Sequence, residues 1–212
     1  MLLLIDLDNT LIDRRAAFKR WSDSRYGPAH TQWLIDADRD GYEPRPALAA
    51  RIAERFNEPV AGVLAELAAG MVDQLVPDPS VADALREATA AGFVPVVVTN
   101  GSVAQQEAKL HHTGLDRLVA AWTISEALGV RKPDRRIFEL AAASVGLPLA
   151  GWMVGDNPSY DIGGGEAAGL RTAWVSNDSP WPPALDFHPT LTAPTGAAAL
   201  RAVTRSLPAR NR

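Results

Sequence analysis

The sequence predicts an α/β fold: a parallel sheet core with helices on both faces, plus an inserted all-helical unit. Three observations lead there. Leu2-Leu-Leu-Ile5 is an unbroken apolar run that ends in carboxylates, as expected of a strand buried on both faces in a parallel sheet. From Asp78 onward, strand-like and helix-like segments alternate, the pattern of parallel units joined by right-handed crossovers. Between these, residues 14 to 77 carry helical spacing and no strong strand signal. That is far more than the roughly 2 to 6 loop residues found on each side of one crossover helix. The predicted organisation is a core of residues 1–13 and 78–212 with a helical insertion at residues 14–77.

Each element follows from local chemistry. Asp13 is placed to cap a helix from Arg14 to Tyr26, broken by Gly27-Pro28. A second helix is expected over Thr31 to Arg39, a third over Pro46 to Phe56 through Leu48, Ile52 and Phe56, and a fourth from Pro59 to about Val76. Ser80 to Ala91 is an amphipathic helix stopped by Gly92. Phe93 to Val98 is a buried strand leading into Thr99-Asn100-Gly101-Ser102, and a helix follows from Val103 to His112. Leu118 to Ile124, Trp152 to Val154 and Thr172 to Val175 are the remaining predicted strands. Asp134 caps a helix reaching Val145, another helix ends near Gly169, and the proline-rich stretch 179–194 reads as a stiff loop before a final alanine-rich helix.

Composition narrows the function classes. Hydrophobic residues make up 47% and charged residues 22% of the 212 residues, ordinary for a soluble globular protein. A formal net charge of -4 gives no reason to expect nucleic acid or a membrane surface as partner. With no cysteine, thiolate nucleophiles, thiolate metal sites and disulfides are excluded, which fits a cytoplasmic protein. The apolar start reaches Asp6 too soon for a signal-peptide core, and no apolar run approaches the roughly 20 residues of a membrane helix.

Asp6 and Asp8 stand two apart where the first strand ends, so their side chains point the same way. Burying two unpaired carboxylates is costly, and a divalent cation, a shared proton or a nearby lysine must offset it. The bland reading is that Asp8-Asn9 only begins a surface turn. Three more polar clusters fall at predicted strand ends or in the following loops: Thr99/Asn100/Gly101, Lys132, and Asp156/Asp161. That edge of an open parallel sheet is where ligands bind. Each cluster suits a phosphate. Thr99 to Gly101 offer a hydroxyl and backbone N–H groups before a helix, Lys132 offers positive charge, and Asp6, Asp8 and Asp156 offer the hard oxygen ligands that Mg²⁺ prefers.

In these four motifs, Asp6-Leu-Asp-Asn-Thr10, Thr99-Asn-Gly101, Lys132-Pro133 and Gly155-Asp-Asn-Pro-Ser-Tyr-Asp161, the chain resembles the haloacid-dehalogenase-like (HAD) superfamily. The resemblance is specifically to its phosphatase branch with a helical (C1-type) cap. They occur in the family's order and the likeness covers essentially the whole chain. It implies a Rossmann-like core, a cap at residues 14–77, Mg²⁺ as cofactor and a small phosphorylated metabolite as substrate. It further implies Asp6 as nucleophile, Asp8 as general acid and base, and Lys132 with Thr99, Asn100 and Gly101 on the phosphoryl group. The metal would be held by Asp6, the backbone carbonyl of Asp8 and Asp156, with Thr10 and Asp161 just behind. The dehalogenase member of the superfamily lacks the second aspartate, so Asp8 argues for phosphoryl transfer. A phosphomutase acting on a sugar phosphate and a non-catalytic binding protein on the same fold are the alternatives.

Other residues have plainer readings. The tryptophans are scattered and read mostly as packing residues; Trp21 and Trp33, with Arg45, are the cap positions expected to line the substrate. His111 and His112 are adjacent, so they diverge around a helix and cannot share one metal. Arg14-Arg15 read as a solvated face, with reaching a phosphate or a substrate carboxylate as the alternative.

Overall fold

The computed structural model describes residues 1–206. They divide into two compact units, one formed by Met1–Ile12 with the chain from Pro77 onward, the other by Asp13–Val76. The chain opens with strand β1 (Leu2–Ile5), every residue of which is buried, and then enters the second unit.

The Asp13–Val76 unit contains helices α1 (Arg14–Tyr26), α2 (Pro28–Asp38), α3 (Arg45–Phe56) and α4 (Val60–Asp73). Asp13 caps α1 by accepting the Ala16 N–H at 2.9 Å. Helix α2 starts at Pro28 rather than Thr31, because proline in the first turn has no N–H to lose and a φ already suited to a helix. Phe18, Leu34, Leu48, Ile52, Leu67 and Met71 form the unit's apolar interior. Beside it lies a buried ionic cluster. One guanidinium nitrogen of Arg14 contacts both Asp38 oxygens at 2.8 Å, Arg45 contacts Asp38 Oδ1 at 2.8 Å, and the Gly41 N–H donates to Asp38 Oδ2 at 2.7 Å. Arg14 is 3% exposed, so the solvated face expected of it is corrected. Arg15 does stay on the surface, paired with Asp40.

The larger unit contains α5 (Pro79–Ala90), β2 (Val94–Thr99), α6 (Val103–Thr113), β3 (Ala121–Ile124), α7 (Ser125–Leu128), α8 (Arg135–Ser144), β4 (Gly151–Gly155), α9 (Gly164–Ala167), β5 (Arg171–Val175), β6 (Leu191–Ala193) and α10 (Gly196–Arg205). All strand pairs are parallel, in the order β3-β2-β1-β4-β5-β6. β1 is therefore interior, with Ile5 opposite Val97 on one side and Val154 on the other. Leu2, Leu4, Val96, Val98 and Met153 pack against Ile137 and Phe138 of α8, and α5 and α10 cover the other face. Burying each large side chain contributes roughly 1.5–3 kcal/mol. The ends of β1, β2 and β4 are thus anchored in a stiff layer.

Elements of the larger unit differ from expectation as well. Leu115–Arg117 form a 3₁₀ turn, so β3 begins at Ala121 rather than Leu118. The helix expected after Asp156 is a wide helical turn over Pro158–Gly163 before the short α9. Strand β6 lies inside the proline-rich stretch. It is short and at the sheet edge, and reciprocal Thr172 and Thr190 hydroxyl contacts precede it at 3.2 and 3.3 Å. Among the described residues, no helix is long and apolar enough to cross a membrane.

Candidate active site

Asp6 is the first residue beyond β1, and its N–H donates to the Val154 carbonyl at 2.8 Å. The sheet's strand order reverses at β1, so β2 and β4 flank it. Three motif residues thereby share one edge: Asp6 after β1, Thr99 ending β2, and Asp156 directly after β4. Lys132 arrives from the β3–α8 connection. Its Nζ lies 2.5 Å from Asp6 Oδ1 and 2.7 Å from Asp161 Oδ1. All three of these residues are buried.

Asp6, Asp156 and Asp161 each present a carboxylate oxygen within 4.8 Å of the others'. Burial pushes the Asp6 carboxyl up to about 7 from its ordinary value; Lys132 pulls it down, while Asp161 and Asp8 push the same way as burial. Burial disfavours the Lys132 ammonium, but Asp161 and Asp6 outweigh that and hold its pKa above the usual value. Lys132 is therefore charged at neutral pH. The geometry sets one ammonium between two of the three carboxylates.

The loops that hold these groups are built locally. After Leu7, whose carbonyl accepts from Thr10, Leu11 and Ile12 N–H groups, the chain turns with Asn9 at φ 56. Asparagine tolerates that left-handed conformation better than most residues. Asn177 donates to the Asn9 carbonyl at 2.9 Å, and the Thr10 hydroxyl is buried with no hydrogen-bond partner among the described residues. At the β4 end, a Cβ on Gly155 would meet Asp161 Cγ at 2.3 Å, so only glycine lets that carboxylate lie against the strand. Asp161 Oδ2 accepts the Asn157 N–H at 2.9 Å, and Asn157 caps the wide turn through Ser159 and Tyr160 N–H groups.

In the second motif, Asn100 turns both ends of its amide onto Lys132: Nδ2 donates to the Lys132 carbonyl at 3.1 Å and Oδ1 accepts its N–H at 2.9 Å. Its side chain fixes the lysine loop. The Gly101 N–H is taken by the Ser125 hydroxyl at 3.0 Å, and Glu126 accepts the Val103 N–H at 2.8 Å. The Thr99 hydroxyl accepts from Gln106 Nε2 at 2.5 Å.

Asp8 is held from α6. Lys109 Nζ lies 2.8 Å from both of its oxygens, and Gln106 Nε2 donates to Oδ2 at 3.0 Å. Sequence reasoning passed over both residues. The signal available was weak: Gln106 and Lys109 stand on the same helical face as buried Leu110, polar side chains where apolar ones belong. Trp174, one of the scattered tryptophans expected to serve mostly in packing, donates its Nε1 to the Asp156 backbone carbonyl at 2.8 Å. Trp181 packs edge-on against Trp174 at 4.9 Å.

The insertion residues are placed within their own unit. Trp21 is buried against Phe18 and Tyr26. Arg45 is paired with Asp38. Trp33 is half-buried, with the Arg55 guanidinium 4.6 Å over its ring.

A family model described as haloacid dehalogenase-like hydrolase matches residues 1–169. Among curated relatives, a phosphoserine phosphatase of Thermus thermophilus is 39% identical over 92 residues, 43% of this chain and 37% of that protein. An (S)-2-haloacid dehalogenase of Pseudomonas is 30% identical over 107 residues, 49% of this chain and 44% of that protein. The chain thus spans about two fifths of the length of these relatives. The solved structure of L-2-haloacid dehalogenase from Xanthobacter autotrophicus superposes with a TM-score of 0.79 at 20% identity, covering 98% of this chain and 99% of that one; at that identity the likeness concerns the fold alone.

Proposed function

Taking as premise that the chain belongs to the haloacid dehalogenase-like hydrolase family, we propose that it is a Mg²⁺-dependent phosphatase. It hydrolyses a small phosphorylated metabolite through an aspartyl-phosphate on Asp6. The observation that carries this reading is the trio Asp6, Asp156 and Asp161 within 4.8 Å. Lys132 offsets at most one of those charges, and the Asp6 carboxyl is raised in consequence of burial and its acidic neighbours. A divalent cation restores the balance, and an all-oxygen donor set without thiolate suits Mg²⁺. Asp6, the Asp8 backbone carbonyl and Asp156 would hold it, with Asp161 behind. When bound, it neutralises charge on the phosphoryl oxygens as a Lewis acid.

The chain's own groups divide the remaining work. Asp6 attacks phosphorus with its carboxylate, forming an acyl phosphate as the ester P–O bond breaks. Asp8 gives its proton to the departing alkoxide, then takes a proton from the water that attacks phosphorus and frees Asp6. Lys132 and the Thr99 hydroxyl stabilise the charge on the transferring group. Hydrolysis of a 2-haloacid would use the same kind of nucleophile, but a halide leaves without a proton. A second carboxylate held by a buried lysine and a glutamine would then have no leaving group to protonate. Asp8 thus favours phosphate esters.

The test is turnover by purified protein on a panel of phosphorylated metabolites and 2-haloacids, with Mg²⁺ and with excess chelator. Phosphate release that requires Mg²⁺ is the expected result. Halide release without phosphate release would reject the proposal.

A further inference from the structure

We infer that Gln106 and Lys109 are positioning residues for this chemistry: through one shared network they fix the Asp8 carboxylate and orient the Thr99 hydroxyl as a donor. The inference rests on the phosphatase reading above and extends it to two residues outside the four motifs. Both lie on α6, three residues apart and so on one face. Gln106 is 1% exposed and Lys109 2%. Lysine is almost never buried so fully without a charged partner, and here the partner is Asp8, 101 residues away in sequence.

The polarity of the network follows from which groups can donate. Lysine has donors only, and Lys109 Nζ lies 2.6 Å from Gln106 Oε1. The amide oxygen therefore faces the ammonium, and the amide nitrogen faces the other way. Gln106 Nε2 lies 3.0 Å from Asp8 Oδ2 and 2.5 Å from Thr99 Oγ1. A flipped amide would set two donors together and leave its oxygen against the Asp8 carboxylate, so this orientation is chemically determined. Gln106 occupies a lone pair of the Thr99 hydroxyl. The hydroxyl proton is thereby left to donate, and a phosphoryl oxygen at this sheet edge is an acceptor of the right kind. Lys109, by contacting both Asp8 oxygens, removes the carboxylate's rotational freedom.

Gly101 belongs to the same device. A Cβ there would stand 3.0 Å from Gln106 Cδ and Cγ, at a φ of 155°. The glycine of the second motif leaves room for the glutamine that links its threonine to Asp8.

The experiment compares the parent with Lys109→Met, Lys109→Arg and Gln106→Met on aryl phosphates running from 4-nitrophenyl to phenyl phosphate, at saturating Mg²⁺. It reads kcat, KM and, after acid quench, the fraction of protein carrying one phosphoryl group. Loss of general acid–base positioning should lower kcat for Lys109→Met on phenyl phosphate by about 10²-fold. KM should move by less than about threefold, since binding is not the function removed. The loss should shrink as the leaving group improves, while phosphorylated protein accumulates on 4-nitrophenyl phosphate because water activation is impaired. Lys109→Arg should recover part of kcat. In an Asp8→Asn background, Lys109→Met should add little further loss, since coupled residues are not additive.

If Lys109→Met does not fold, Gln106→Met, which adds no charge and keeps length, carries the same expectation in a smaller degree. Parental kcat in folded variants across all esters would overturn the inference and leave the phosphatase reading standing. An equal loss on every ester, with no recovery by arginine, would mark the pair as merely structural and overturn it too. A parent that neither releases phosphate nor gains a phosphoryl group would overturn both.

Discussion

Asp6 carries a carboxyl pushed up to about 7 by burial, with Lys132 opposing and Asp161 and Asp8 reinforcing the shift. The sign of its contribution to stability follows. In the metal-free protein the folded state retains a proton that the unfolded chain, with its ordinary value of 3.8, has lost. Stability from this group is fully present below the unfolded value and is lost as pH rises through about 7. In chelator, the melting temperature should therefore fall between pH 5 and pH 8 more steeply for the parent than for Asp6→Asn. Equal slopes in the two proteins would contradict the assignment. Trp174 offers a second measurement. Its indole fixes the Asp156 carbonyl, so Trp174→Phe should weaken Mg²⁺ binding by about tenfold, in line with other groups that orient metal ligands. Titration calorimetry with an unchanged dissociation constant would reject that role. The four motifs were legible because their chemistry is local: carboxylates two apart at a strand end, a lysine before a proline, a glycine before an aspartate. Gln106, Lys109 and Trp174 were not. Their partners lie 98, 101 and 18 residues away, and no spacing rule connects a helix face to a carboxylate across the sheet.

Between residue and molecule stand the elements, where the ionic cluster of the insertion is the clearest case. Asp38 is 1% exposed and binds Arg14 and Arg45 together. Removing one partner of a buried ion pair leaves the other charge uncompensated, at about 3–5 kcal/mol. Asp38→Ala should therefore destabilise the insertion by about that amount in urea unfolding, and Arg45→Ala by less, because its side chain is 22% exposed. A loss for Asp38→Ala under about 1 kcal/mol, the value of a surface pair, would contradict the buried-cluster description. Periodicity located α3 and α5 well, since each alternates apolar and polar faces, while α1 and α8 were marked by their capping aspartates Asp13 and Asp134. Periodicity went no further. It missed the start of α2, where a proline serves as a first-turn residue rather than a breaker, and it missed β6, whose three residues are too few to show alternation. The wide turn over Pro158–Gly163 was hidden for another reason. Its course is set by Asn157 capping and by Asp161 folding back on Gly155, interactions that a helical pattern does not encode.

For the molecule as a whole, strand order and the loops that follow bring Asp6, Lys132, Asp156 and Asp161 to one sheet edge, while Asp13–Val76 forms a unit of its own. We propose that this unit serves as a lid that selects substrates. Trp33 is its half-buried aromatic residue among the predicted specificity positions, whereas Trp21 and Arg45 are engaged inside the unit. Trp33→Ala should accordingly change KM or substrate preference on metabolite esters while leaving kcat on 4-nitrophenyl phosphate within about threefold. A proportional loss on every substrate would contradict a role in selection. Everything proposed for the site depends on phosphoryl transfer to one oxygen of one side chain. The decisive measurement is therefore mass spectrometry of the acid-quenched, digested protein after brief exposure to its best phosphate ester. A phosphoryl group on Asp6, formed only with Mg²⁺ and absent from Asp6→Asn, is the expected result; rapid phosphate release with Asp6 unmodified at every quench time would contradict it.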